Sequence, residues 1–371
     1  MKTNNSPKIN NTNSSLHSIA HDKAVIIETV NSILKSHFEI YSKKAHKLHP
    51  RFGGLVDVMH AFILSGGKRA RPYLLVHTYQ SYGGTSFADA CRVGAGLELL
   101  HTAMLMHDDI IDRDYTRYGV KNIAGYYQEA YNALSANTNN NKHLADGAAL
   151  LAGDINITAA FELFLSSGFD AETKVAATRL LAEACFRVTG GELIDTDSAL
   201  YPPEDTDPLV VTEIKTAHYS FVTPLVIGAS LANAHEDELA KLEELGMKLG
   251  VAFQLTDDIL GVFGDEQITG KTVIGDIREG KQTHLYHLAR KQASKEDKAL
   301  LLHYYGNEEV DAAGAREVRA IFERSGARAA CEATVQTYAL AAQKIVDQLA
   351  ISAASKRVYS QFIESMTQRA F

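Results

Sequence analysis

Apolar residues in this chain recur at intervals of three and four, as in ELAKLEELGMKLGVAFQL (238–255) and TVQTYALAAQKIVDQLA (334–350). That spacing lays one apolar stripe along a helix and cannot line one face of a strand. No convincing run of strict alternation accompanies it, and proline, which would break helices, occurs only 7 times. Helices with one apolar stripe bury it against other helices, so the chain is predicted to be an all-α bundle. Turn-forming residues interrupt the pattern at YGGTS (82–86), SANTNNNK (135–142), YPPEDTDP (201–208) and FGDEQITG (263–270). The Asn-rich stretch at 135–142 reads as a solvated insertion. No low-complexity linker divides the chain. The polar start MKTNNSPKINNTNSS lacks an apolar signal core and predicts a disordered tail over 1–20. Residues 21–371 then form a single helical domain.

Charge and cysteine usage remove several function classes. Aspartate and glutamate number 45 against 37 lysines and arginines, a net charge of -8, which argues against nucleic-acid binding. Cys91, Cys185 and Cys331 lie far apart with no CxxC, so buried thiols in a reducing, cytoplasmic setting are expected. The longest apolar run, SFVTPLVIGASLANA (220–234), is short for a transmembrane helix and contains Pro224.

Two acidic clusters carry the chemistry. In HTAMLMHDDIIDRD (101–114), Asp108 and Asp112 are one helical turn apart on one face, His101 lies two turns earlier on it, and Asp109 stands to the side. Carboxylates at a helix C-terminus oppose its dipole, and like charges four residues apart repel. A divalent cation reverses that penalty. FQLTDDILGVFGD (253–265) repeats the theme with Asp257, Asp258 and, one turn earlier, Gln254, but Gly261 stands where Asp112 stands in the first cluster. A single DDxxD is often a solvated helix end. Two aspartate pairs, each ending an apolar helix, predict opposite walls of one cleft. Hard oxygen ligands favour Mg2+, which usually completes its shell with water and phosphate oxygens, so a phosphorylated small molecule is the expected ligand. Cationic residues fit an anion: Lys68, Arg69 and Arg71 in GGKRARP (66–72), Arg117 after the first cluster, Lys215 and Thr216 in an otherwise apolar helix, and Lys271 and Lys281 in GKTVIGDIREGK (270–281).

Five motifs in order, GGKRARP, LELLHTAMLMHDDIID, KTAHYSFVTPL, FQLTDDILGVFGD and GKTVIGDIREGKQT, span 66–283. In these the chain resembles the trans-isoprenyl diphosphate synthases of the polyprenyl synthetase family. The resemblance implies a helical bundle around a deep cleft, usually a homodimer. It also implies condensation of isopentenyl diphosphate with an allylic diphosphate. Under it, Asp108, Asp112 and Asp257 hold three Mg2+ ions on the allylic diphosphate, with Asp109 and Asp258 supporting them. Arg117, Lys215, Lys281 and Lys271 bind the same diphosphate. Gly67, Lys68, Arg71 and His101 match the isopentenyl diphosphate site, and Thr216 and Gln254 match groups near the reacting carbons. Asp195 matches a further acidic position facing the cleft.

Two positions depart from the family pattern. Tyr118 replaces a second arginine, a loss that Arg69, Arg113 or Lys121 would have to offset. Gly261 replaces a third aspartate. Product length depends on residues one turn before Asp108, since a turn rises about 5.4 Å, close to one isoprene unit. The helical wheel points Met104 into the cleft, whereas the family resemblance weights Ala103. Neither is aromatic, which disfavours a C10 product. C20 is the expected length, with C15 and C25 to C35 open. Two rival readings share features of the sequence. A class I terpene cyclase also uses DDxxD, but it has no need of the GGKRARP pocket. A catalytically silent subunit would shed aspartates and lysines that this chain keeps.

Overall fold

The computed structural model describes residues 12–117, 119–264 and 274–367, and they are helical almost throughout. In chain order the helices are α1 (Thr12–Leu48), α2 (Pro50–Leu64), α3 (Ala70–Ser81), α4 (Phe87–Ile111), α5 (Ile123–Leu134), α6 (Thr138–Leu165) and α7 (Ala171–Asp197). The short α8 (Pro208–Thr212), a π-helical segment (Glu213–Val222), α9 (Thr223–Leu231) and α10 (Glu236–Phe263) follow. Then come α11 (Gly275–Glu279), α12 (His284–Gln292), α13 (Lys295–Tyr304), α14 (Ala312–Arg324), α15 (Ala327–Gln348) and α16 (Ala353–Thr367). Many starts are set by local chemistry. The side chains of Asn122, Asp170, Thr283 and Asp311 each accept a first-turn backbone N–H that the helix leaves unpaired.

The stripes meet in three apolar clusters. The largest joins α1 to α7 around Leu34, Phe38, Leu75, Leu99, Phe164 and Leu181. A second packs α10 against α12, α14 and α15 through Leu255, Ile259, Leu285 and Phe322. A third, around Leu225, Leu245, Val346 and Tyr359, links α9, α10, α15 and α16. Helix α10 belongs to two clusters, and α4 runs through the middle of the first. Both therefore project their C-terminal ends from rigid packing, and those ends carry the aspartate pairs.

Several expectations need correction. Helix α1 begins at Thr12, within the stretch expected as a polar tail, and residues 1–11 lie outside the described residues. The Asn-rich insertion shrinks to 135–137, because Asn137 caps α6 by accepting the Asn140 N–H. Asn141 is buried and donates to Asn132 Oδ1 and the Ser135 carbonyl, tying α6 to α5. A two-residue hairpin appears where no strand was expected: Thr116–Arg117 pairs antiparallel with Val120–Lys121. Helix α6 is long and apolar enough to cross a membrane by length and composition, although Asp154 and Glu162 interrupt its apolar run. Its Ala145, Ala149, Ala152 and Ala160 are buried in the bundle. Among the thiols, Cys91 and Cys331 are buried and Cys185 only partly so.

Candidate active site

The first wall is the end of α4. Asp109, which a helical wheel sets aside, turns inward and is 2% exposed. The hairpin returns Arg117 to this helix end, where its Nε donates to Asp109 Oδ1 at 2.7 Å and its Nη2 to Asp108 Oδ2 at 3.2 Å. Burial pushes the Asp109 carboxyl up to about 6 despite Arg117. Asp109 Oδ2 is buried and has no hydrogen-bond partner. Asp112 ends the helix, and burial together with the Asp108 charge pushes it up to about 7.

Lys215 bridges this wall to α7. Its Nζ donates to Asp195 Oδ2 at 2.5 Å and Glu192 Oε1 at 3.1 Å, and lies 4.0 Å from Asp108 Oδ1. Burial alone would lower the lysine, but Asp195, Glu192 and Asp108 outweigh it and hold Lys215 above its ordinary range. Glu192 was not anticipated. It precedes Asp195 by three residues, and that helical spacing is the sequence signal that marks it. Lys281 Nζ lies 3.0 Å from Glu279 Oε2 and 3.7 Å from Asp276 Oδ1. Burial opposes its charge as well, and Asp276, Asp112 and Glu279 more than restore it.

On the second wall Thr216 Oγ1 donates to Gln254 Oε1 at 2.8 Å, and Gln254 Nε2 donates to Asp258 Oδ1 at 2.9 Å. Asp258 is 8% exposed. Burial, only partly offset by Gln254, pushes its carboxyl up to about 8, with Asp276, Asp257 and Asp195 adding to the rise. Asp257 is half-buried on the same helix.

A basic pocket adjoins these walls. Arg71 Nη2 donates to Tyr219 Oη at 2.8 Å and to Ser220 Oγ at 2.7 Å, and its guanidinium lies over the Tyr219 ring at 4.6 Å. His101 Nδ1 is 3.2 Å from the same Tyr219 hydroxyl. Burial, then the charges of Arg71, Arg117 and Arg69, hold the imidazole well below its usual range, so it is neutral at pH 7. Tyr219 and Ser220 were missed among the candidates; they lie on the π-helical segment, four residues after Lys215 and Thr216, and that spacing is the sequence signal that marks them. Gly67, with φ 104, and exposed Lys68 form the turn before α3.

Not every candidate joins the site. Arg69 is turned into the core, donating to Asn31 Oδ1, Glu98 Oε1 and the Ile63 carbonyl, so it cannot offset a missing arginine. Lys121 is paired with Glu129. Arg113 is exposed in a left-handed turn. Ala103 is fully buried and Met104 partly so. Tyr118 and Lys271 lie outside the described residues.

The carboxylates exceed what the local cations neutralise, and the orphaned Asp109 oxygen and the raised Asp112 and Asp258 fit a cation held nearby. Among the described residues no three ligating side chains converge on one point. Mg2+ held by one or two carboxylates and completed by phosphate oxygens and water fits that arrangement.

The polyprenyl synthetase family model matches residues 54–323. Geranylgeranyl diphosphate synthase of Sulfolobus acidocaldarius is 31% identical over 287 residues, 76% of this chain and 78% of that protein. Geranylfarnesyl diphosphate synthase of Aeropyrum pernix is 31% identical over 313 residues, 83% of this chain and 92% of that one. The crystal structure of a Corynebacterium glutamicum geranylgeranyl pyrophosphate synthase, complexed with isoprenyl diphosphate and magnesium, superposes with a TM-score of 0.85 at 27% identity. It covers 93% of this chain and 98% of its own.

Proposed function

Because the chain belongs to the polyprenyl synthetase family of chain-elongating prenyltransferases, we propose that it joins isopentenyl diphosphate to an allylic diphosphate to give mainly the C20 product, geranylgeranyl diphosphate. The observation that carries the site assignment is the convergence of Asp108, Asp112, Lys215 and Lys281 at the end of α4, with Asp257 and Asp258 ending α10. Asp108, Asp112 and Asp257 would hold Mg2+, with Asp109 and Asp258 behind them. Bound Mg2+ supplies positive charge that makes diphosphate a better leaving group.

The chain's own residues do the rest. Lys215, Lys281 and Arg117 bind the allylic diphosphate and stabilise the charge that grows on it as the C–O bond breaks. Binding frees Lys215 from Asp195 and Glu192, whose carboxylates keep it protonated until then. Arg71, Lys68 and neutral His101 grip the diphosphate of isopentenyl diphosphate. Thr216 and Gln254, fixed by their mutual hydrogen bond, present dipoles to the allylic cation. The apolar walls exclude water, which would trap the cation as an alcohol. The C=C of isopentenyl diphosphate attacks the cation, and the departing diphosphate accepts the proton lost from the adjacent carbon.

Small Ala103 and flexible Met104 support a floor that admits C20. Apolar residues exposed on α6 and α7 support a homodimer, and unpaired cysteines support a cytoplasmic setting.

The test is purified protein with Mg2+, labelled isopentenyl diphosphate and separate C5, C10, C15 and C20 allylic partners, with products dephosphorylated and sized by chromatography. A predominant C20 alcohol is expected. No incorporation with any partner would overturn the stand-alone activity. Ala103→Phe is expected to shorten the product, and unchanged length in a folded variant would overturn the floor assignment.

A further inference from the structure

The backbone carbonyl of Lys281 is held from two directions. The Thr283 N–H donates to it at 2.7 Å, within the turn that leads into α12. The Tyr305 hydroxyl, 24 residues further along the chain, donates to it at 2.6 Å. Tyr305 follows α13, an element that carries none of the candidate site residues.

Tyr305 is packed to keep that bond. It is 9% exposed, its ring stacks on Tyr286 at 4.1 Å with 11° between the planes, and Phe322 lies at 6.2 Å. Burial, then the charge of Asp276, holds the phenol well above its ordinary range, so at neutral pH it keeps the proton it donates. The neighbouring residues extend the grip. The Gly306 N–H donates to the Ile277 carbonyl at 2.8 Å, and Arg278 donates twice to the Val310 carbonyl, at 3.2 and 3.0 Å. Gly280 and Gly306 have φ of 68 and 81, and a Cβ at Gly280 would lie 2.8 Å from the Gly306 Cα. Two stretches of backbone meet there with no side chain between them. Residues 305–310 thus clasp α11 and the Lys281 turn along their length. The clasp bears on the site because lysine is a point charge on a flexible four-carbon stem, so its reach is set by where its backbone is held.

We propose that Tyr305 is a positioning residue for Lys281: its hydroxyl fixes the Lys281 peptide so that the ammonium group meets the allylic diphosphate, and its ring ties that contact to the apolar cluster of α10, α12, α14 and α15. The inference rests on the synthase reading of the site.

The test is Tyr305→Phe, which keeps the stacked ring and removes the hydroxyl alone. Mg2+-dependent binding of inorganic diphosphate is measured by calorimetry on the full chain as wild type, Tyr305→Phe, Lys281→Ala and the double variant, with circular-dichroism melting to confirm folding. Tyr305→Phe is expected to weaken binding by about 5- to 10-fold, the scale of one lost hydrogen bond and well short of the roughly 10²-fold of a 1 Å misplacement. KM for the allylic substrate is expected to rise with it, while KM for isopentenyl diphosphate stays unchanged. In the Lys281→Ala background the loss of the hydroxyl is expected to weaken binding no further, because a residue that acts through another is not additive with it. A purely structural role would persist without the lysine side chain. Wild-type affinity in folded Tyr305→Phe would overturn the inference, as would an equal loss in both backgrounds. Failure of the wild-type chain to bind diphosphate at any Mg2+ concentration would instead remove the synthase reading, and this inference with it.

Discussion

Arg69 and Arg71 stand two residues apart, and a left-handed turn at Arg69, φ 48, sends one inward and leaves the other at the pocket. Arg69 and its partner Glu98 are 5% and 3% exposed, and their contact is 2.9 Å. Removing one member of such a pair leaves the other charge buried and unmatched. Arg69→Met is therefore expected to lower the free energy of urea unfolding by about 3–5 kcal/mol. Arg71→Met is expected to raise KM for isopentenyl diphosphate with little change in that unfolding curve. The raised carboxyls give a pH signature. Folding lifts Asp112 from 3.8 to about 7 and Asp258 from 3.8 to about 8, so the folded metal-free chain binds more protons than the unfolded one. Their contribution to stability is fully present below the unfolded value and is lost as pH rises through the folded values. The lowered His77 and His218, both brought to about 4 by burial, act in the opposite sense but finish titrating near the ordinary histidine value of 6.5. Above that pH the carboxyls dominate this balance. The melting temperature of metal-free protein is expected to fall from neutral to mildly alkaline pH, and Asp258→Asn is expected to flatten the fall. A wild-type slope unchanged in Asp258→Asn would show that burial there does not set the pH response.

At the scale of elements, the π-helical segment Glu213–Val222 determines where Lys215, Thr216, Tyr219 and Ser220 point. Glycines hold it from two sides. A Cβ at Gly191 on α7 would meet the Lys215 Cα and N at 2.6 Å. On α10, one at Gly250 would meet the Ala217 Cα at 2.2 Å, and one at Gly246 the Val222 Cα at 2.6 Å. These contacts are with backbone, which has no rotamer to give way. Gly191→Ala is expected to shift Lys215 and lower kcat by about 10²-fold, the scale of a 1 Å misplacement at a reacting centre. Gly54→Ala, where the new Cβ meets nothing within 4 Å, is expected to leave kcat unchanged and raise stability by about 0.5–1 kcal/mol. Steady-state kinetics beside urea unfolding separates the two. The helices themselves were legible from the three-and-four spacing, and both aspartate pairs were legible because each ends an apolar run. The π turn was not, since one extra residue per turn barely disturbs the spacing over ten residues. The close approach of the Asp276 carboxylate to Gly261 was not legible either. It joins residues fifteen positions apart that only packing brings together.

Across the whole molecule, exposed apolar side chains are not scattered evenly. Single ones such as Ile40 and Leu302 are ordinary. Helices α6 and α7 are different, because they pack together and concentrate Leu150, Leu151, Phe186 and Leu193, which are 50%, 57%, 77% and 65% exposed. Phe186 and Leu193 are seven residues apart, two turns along one face of α7. Those two helices also brace the site: α6 is the main packing partner of α4, which bears Asp108, and α7 bears Glu192 and Asp195, which hold Lys215. A homodimer formed through this face would steady both supports of the first wall. Phe186→Glu combined with Leu193→Lys places unmatched charge at the centre of that face, where desolvation is costly. The double variant is expected to sediment as a monomer with its helical circular-dichroism signal kept, and to show a lower kcat than wild type. If it keeps the wild-type mass, the association surface lies elsewhere. If it is a monomer with unchanged kcat, the two walls are rigid without a partner, and the apolar face serves assembly alone.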